Sequence, residues 1–153
     1  MDQLFTLTNI YTDVEGATFE EVLDNVSKKL DEKGFINEGF KQSVLDREKV
    51  FPTGLEFDGY NIAIPHTDSQ FVKQDAIAVI KPKNPVIFKD MATNSKELEV
   101  GVMLLLLISK NENQVKVLSN IIKSFSDKQF YNDILATNNE EEILKIINTK
   151  ENN

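Results

Sequence analysis

The chain predicts an α/β fold: a single layered domain with a mixed, mainly parallel β-sheet and helices on both faces. Three observations predict it. Short apolar segments alternate with longer segments of helical period. The segment Val102 to Ile108 is apolar without interruption, as a central strand covered on both faces requires. The helical segments open on cap signals, and no repeat, low-complexity stretch or linker divides the chain of 153 residues.

The elements follow in order. Leu4 to Ile10 partly alternates, carries β-forming residues and is expected to be the first strand. Thr18-Phe19-Glu20-Glu21 is a capping box, placing a hydroxyl and a carboxylate where the first helical N–H groups lack partners. Phe19, Val22, Leu23, Val26 and Leu30 keep helical spacing, and Gly34 ends the helix. Asn37 is a candidate cap for a second helix with Phe40, Val44 and Leu45 on one face, ending near Val50 ahead of Pro52. Phe51 to Gly54 reads as a turn. Ile62 to Ile64 and Ala76 to Ile80 read as strands, and Pro85 to Phe88 as an edge strand that tolerates proline. Asp90 to Leu98 is a polar connection. Helices are expected over Gln114 to Phe125, Asp127 to Leu135 and Asn139 to Ile147, the last with Asn139 and Glu142 as its cap signal. Residues 148–153 are expected to fray.

Composition narrows the function classes. The hydrophobic fraction of 41% supports a core, and the charged fraction of 27% argues against disorder. A net charge of −8 disfavours nucleic acid as a partner, because phosphate backbones select clustered Lys and Arg. There is no cysteine, hence no disulfide, thiolate chemistry or cysteine metal site. Met1 to Phe5 lacks the basic, apolar-cored pattern of a leader, and the apolar run at Val102 is far shorter than the ~20 residues of a membrane span. A cytoplasmic protein without membrane insertion is the expectation.

The chain has one histidine, His66, in Ile62-Ala63-Ile64-Pro65-His66-Thr67-Asp68. Imidazole is the one side chain whose ordinary pKa lies near neutrality, and its neutral form offers a nucleophilic lone pair. A position directly after an apolar strand and Pro65 suits an active group better than core filler. Arg47 is the only arginine among seventeen basic residues. A planar bidentate donor is favoured where an oxyanion needs a fixed orientation, although a solvated helix end paired with a carboxylate is the plainer reading. Thr53 and Gly54 offer a hydroxyl and a backbone N–H to an anion, or simply form an ordinary turn. Asp68 is a candidate orienter of His66 or a cap of the following turn, with the cap favoured. No nucleotide-binding glycine loop and no G-x-S-x-G elbow is present, and a single histidine with scattered carboxylates lacks metal-ligand spacing.

In combination these residues resemble the enzyme IIA component of the bacterial phosphoenolpyruvate-dependent sugar phosphotransferase system (PTS), fructose/mannitol superfamily. The resemblance rests on Arg47-Glu48, Phe51-Pro52-Thr53-Gly54-Leu55, Gly59 to Asp68, Pro85 to Phe88, Met91, and the strand from Val102 running into Gln114 and Leu118. It covers about Leu4 to Ile147. Gln114 stands where mannitol-type members carry a second active-site histidine, and this is similar to the galactitol-type branch.

The resemblance implies a phosphotransferase component whose His66 accepts a phosphoryl group on Nε2 from the phosphocarrier HPr and passes it to a cysteine of enzyme IIB. The membrane enzyme IIC is then an indirect partner, and no cofactor or metal is implied. Arg47 is implied as the oxyanion clamp, with Thr53, Gly54 and Gln114 as candidate donors. A phosphorylation-sensing regulatory protein of the same fold is the alternative. Phe71 and Val72 are candidates for partner contact, or for packing into the domain.

Overall fold

The structure is a computed structural model that describes residues 4–151. Met1 to Gln3, part of the segment read as lacking a leader, and Asn152 and Asn153 of the expected tail lie outside the described residues. Five strands form the main sheet in the order β1-β4-β7-β3-β2: β1 (Ile10–Val14), β2 (Gly54–Glu56), β3 (Asn61–Ala63), β4 (Ala76–Pro82) and β7 (Met103–Leu107). The sheet is mixed, as expected. β1 with β4 and β3 with β7 run parallel, whereas β4 with β7 and β2 with β3 run antiparallel. A separate antiparallel ribbon pairs β5 (Val86–Lys89) with β6 (Glu97–Val100).

Helices cover both faces of the sheet. On one side Ala76, Ala78 and Ile80 of β4 and Met103, Leu105 and Leu107 of β7 pack with α1 (Phe19–Glu32), α2 (Phe40–Val50) and the ribbon. On the other, Ile77, Val79, Leu104 and Leu106 pack with α3 (Asn111–Phe125), α4 (Lys128–Leu135) and α5 (Glu140–Glu151). Side chains alternate between faces along a strand, so an unbroken apolar run feeds both cores at once. This is why Val102 to Ile108 is so uniform.

Local signals set several boundaries. Thr18 caps α1 by accepting from the Glu21 N–H, and Asn139 accepts from the Glu142 N–H at 2.9 Å. Gly34, with φ of +78°, supplies the left-handed conformation that follows α1. Lys81 is buried, and its ammonium donates to the carbonyls of Ile134, Leu135 and Thr137, which closes the C-terminal end of α4.

Other expectations are corrected. Leu4 to Ile10 is not the first strand. Leu7–Asn9 is a 3-10 turn, because the pairing partners on β4 begin opposite Ile10 and the Thr8 carbonyl is taken by the Lys33 ammonium. Asn37 does not cap α2. Gly39 precedes Phe40 at φ of +90°, and the Asn37 amide donates instead to the Gln70 carbonyl. The polar connection from Asp90 ends in the first two residues of β6, and the Thr53 turn runs into β2. Helix α3 begins at Asn111, three residues before the expected start, and α5 continues through Glu151 where fraying was expected from Asn148.

Candidate functional site

Three segments converge at one end of the sheet. Strand β3 ends at Ala63 beside β7, which runs parallel to it, and the chain continues through Ile64-Pro65-His66. The Leu106 N–H donates to the Pro65 carbonyl at 3.0 Å, tying this exit to β7. Helix α2 delivers Arg47 and Glu48 in its last turn, and the turn after it delivers Thr53. Helix α3 follows β7 directly and carries Gln114 near its start.

The His66 ring is partly buried, with Nδ1 2.9 Å from the Ile64 carbonyl oxygen. A carbonyl only accepts, so Nδ1 bears the hydrogen and Nε2 keeps its lone pair. Burial is the main cause that holds the imidazole pKa below its usual value; the Arg47 charge acts the same way, while the Ile64 bond and Asp68 act against it. The site therefore favours a neutral ring with Nε2 unprotonated.

Arg47 is half-exposed. Its guanidinium lies 5.3 Å from the centre of the Phe51 ring, and Nη1 lies 3.9 Å from Asp68 Oδ1, the outer limit of an ion pair. Its Nε is buried with no hydrogen-bond partner among the described residues. The terminal nitrogens of the half-exposed fork, paired with Asp68 only at that outer limit, keep donor capacity for an anion. Asp68 begins a short 3-10 turn at Ser69–Phe71, but its side chain makes no cap hydrogen bond and faces Arg47 instead. The cap role is thereby corrected, and the orienting role belongs to the Ile64 carbonyl.

The other candidates are held by the protein itself. Thr53 is buried and donates twice to Glu48: its N–H to Oε2 at 2.7 Å and its hydroxyl to Oε1 at 2.8 Å. Gly54 forms a bridge with Asp90, and its carbonyl accepts from the Met91 N–H at 2.8 Å. A Cβ at Gly54 would stand 2.5 Å from the Lys89 carbonyl oxygen, so the glycine permits ribbon and sheet to meet. Gln114 donates through Nε2 to the Thr67 carbonyl at 3.0 Å and to the Ile108 carbonyl at 3.4 Å. The Thr67 hydroxyl is hydrogen-bonded to that of Ser43. Gln114 and Ser43 thus brace the residue next to His66. The structure brings together His66, Arg47 and Asp68, braces the intervening Thr67 with Gln114, and commits the donors of Thr53 to Glu48.

Glu48 has the most displaced carboxyl in the site. Burial pushes its pKa up to about 7, against the pull of the two Thr53 hydrogen bonds and the Arg47 charge. Glu48 follows Arg47 in the sequence without a local signal of its role, because its burial and its reach across the helix end are tertiary facts. Of the two readings of Phe71 and Val72, packing into the domain is the one observed: Val72 is buried and Phe71 packs against the core. The apolar residues facing solvent beside the site are Val50 and Phe51, each 60% exposed, and Val115, 73% exposed. Among the described residues no helix is long and apolar enough to cross a membrane.

Comparison with known proteins matches residues 3–150 to the family described as "Phosphoenolpyruvate-dependent sugar phosphotransferase system, EIIA 2". The PTS system galactitol-specific EIIA component of Escherichia coli (strain K12) is 30% identical over 115 residues, covering 73% of this chain and 75% of that protein. The Multiphosphoryl transfer protein of Shigella flexneri is 28% identical over 149 residues; the match covers 96% of this chain but only 17% of that longer protein. Two solved structures share the fold. Enzyme IIAMTL, in a complex with phosphorylated enzyme IIBMTL from Escherichia coli, superposes with a TM-score of 0.76 at 20% identity, covering 95% of this chain and 97% of that one. Nitrogen Regulatory Protein IIA-Ntr from Neisseria meningitidis superposes with a TM-score of 0.74 at 25% identity, covering 95% and 97%.

Proposed function

The chain belongs to the EIIA 2 family of the phosphoenolpyruvate-dependent sugar phosphotransferase system, and from that premise we propose that it is a phosphocarrier acting through His66. The observation that carries the reading is the 2.9 Å contact of His66 Nδ1 with the Ile64 carbonyl, which leaves the Nε2 lone pair unprotonated on a ring that also feels the Arg47 charge. The Nε2 lone pair attacks the phosphorus of a phosphohistidine on HPr. The N–P bond of the donor breaks as the new N–P bond forms, and the donor imidazole leaves with its electron pair. In the second transfer a cysteine thiolate of enzyme IIB attacks the same phosphorus, and His66 leaves as neutral imidazole.

Such transfers pass through a loose transition state in which charge spreads over the phosphoryl oxygens, so the protein contributes position and positive charge. Arg47 is the group for that task, and its half-exposed guanidinium, over Phe51 and only loosely paired with Asp68, supports it. Thr53 and Gly54 then serve the frame of the site, and Gln114 braces Thr67. Asp68 steadies Arg47 while no phosphoryl group is bound. Val50, Phe51 and Val115 form an apolar rim suited to a small, transient protein interface. Enzyme IIC is reached only through enzyme IIB, and neither nucleic acid nor a cofactor enters the scheme. The galactitol-specific relative makes a polyol the leading substrate class for the pathway served, and the protein is expected to work in the cytoplasm. The IIA-Ntr structure supports a second reading, a regulatory protein whose phosphorylation state is sensed by binding.

The test is incubation with enzyme I, HPr and labelled phosphoenolpyruvate. Acid-labile, base-stable label is expected on the natural chain and none on His66→Ala. Label persisting on that variant overturns the proposal. Onward flow to a purified enzyme IIB separates the transport reading from the regulatory one.

A further inference from the structure

We propose that Glu48 is a positioning residue for His66: its carboxyl group anchors the Thr53 turn, and the main chain of that turn holds Ile64, the residue whose carbonyl fixes the imidazole.

The inference deepens the phosphocarrier reading and rests on it for its functional consequence. Four contacts form a continuous chain. Glu48 accepts the Thr53 N–H at 2.7 Å and the Thr53 hydroxyl at 2.8 Å. The Thr53 carbonyl accepts the Ile64 N–H at 3.2 Å. The Ile64 carbonyl accepts the His66 Nδ1–H at 2.9 Å. At Thr53 and at Ile64 the N–H is held on one side and the carbonyl is used on the other, so each link fixes the position of the main chain for the next. Thr53 lies at a sheet edge between the end of α2 and the start of β2, so nothing but Glu48 closes both of its donors among the described contacts. A bond to a carboxylate is also stronger than one to a neutral acceptor, which suits a turn that must not drift.

The surroundings of Glu48 agree. It borders a hollow of about 430 Å³ between the start of α1, the end of α2 and β5. The charged groups around that hollow are Glu20 from α1, Lys49 from α2 and Lys89 from β5, and Arg47 is the charge that acts on Glu48. Burial outweighs them and pushes the Glu48 pKa up to about 7. The anchor therefore titrates within the working range of a bacterial cell, and its grip on Thr53 strengthens as pH rises through that value.

The experiment uses the single histidine. A long-range proton–nitrogen correlation spectrum of the nitrogen-15-labelled chain contains one imidazole, so its tautomer is read without assignment by mutation. The natural chain is expected to hold the Nδ1–H form at alkaline pH. Its Thr53 amide shift is expected to inflect near pH 7. Glu48→Gln presents an amide NH2 to a Thr53 donor, so it is expected to mix the two tautomers, lose the inflection and slow phosphoryl acceptance about tenfold, the worth of one hydrogen bond. Thr53→Val removes one of the two contacts and decides the matter if Glu48→Gln does not fold; it is expected to move the tautomer in the same direction by less. An unchanged tautomer in the folded variants overturns the proposal. The tautomer is measured on the unphosphorylated chain, so it tests Glu48 even if no phosphoryl group is accepted and the phosphocarrier reading itself fails.

Discussion

Arg47→Lys separates charge from geometry at the site. The substitution keeps a positive charge at the end of α2 but replaces a planar fork by a point donor. Three contacts set the expected magnitude. The Nη1 to Asp68 distance of 3.9 Å, between half-exposed and largely exposed groups, makes that pair worth at most about 1 kcal/mol. Stacking over the exposed Phe51 ring at 5.3 Å adds roughly 0.5–1 kcal/mol. Folding stability should therefore fall by about 1 kcal/mol or less, since a lysine stem keeps part of the packing. The transition state loses more. One charge-assisted hydrogen bond to a phosphoryl oxygen is worth about 1.5–3 kcal/mol, which is roughly 10- to 150-fold in rate. The assay is rapid-quench transfer from phosphorylated HPr, with denaturant unfolding of the same variant alongside. A large rate loss with near-native stability is expected. Rates within twofold of the natural chain in both directions would remove Arg47 from the mechanism, and a rate loss matched by an equal stability loss would assign it a structural role only.

Two further outcomes follow from the same geometry. His66 is expected to titrate below its ordinary pKa of 6.5 in a nuclear magnetic resonance pH series, because burial and Arg47 both oppose the imidazolium. The unfolded chain then binds a proton that the folded chain refuses, so this group lowers stability as pH falls through 6.5 and is silent above it; a pKa at or above 6.5 contradicts the described environment. Gly54→Ala is expected to cost about 1–3 kcal/mol, because its methyl would lie 2.5 Å from the Lys89 carbonyl oxygen and the ribbon has to shift away from β2. Urea unfolding measures this, and a neutral effect would show that the two sheets are not closely docked at that point.

Much of the fold is legible in the sequence because its signals are local or redundant. The Thr18 and Asn139 caps need only a few neighbouring residues. The run from Val102 is uniform because both of its faces are buried. The failures are elements defined by their partners. β2 and β6 are short and partly polar, and Gly54–Glu56 and Glu97–Val100 become strands only against β3 and β5. The first strand is displaced to Ile10 because Leu4 to Ile10 has the right residue types, whereas the register with β4 is a long-range property. At the site, His66 and Arg47 are visible through their rarity. The Ile64 carbonyl that orients His66 is invisible, since every residue has one. Glu48 is hidden among many carboxylates, and only the turn of the chain after Val50 brings Thr53 onto it.

A phosphocarrier with Nδ1 held by a carbonyl must carry the phosphoryl group on Nε2. The single histidine makes this a one-signal measurement: a proton–nitrogen–phosphorus correlation spectrum of the chain after phosphorylation by enzyme I, HPr and phosphoenolpyruvate. With Nδ1 held by the Ile64 carbonyl, phosphorus coupling is expected at Nε2 of His66 and at no other nitrogen. Coupling at Nδ1, or a stable phosphoryl group on any other residue, would contradict it.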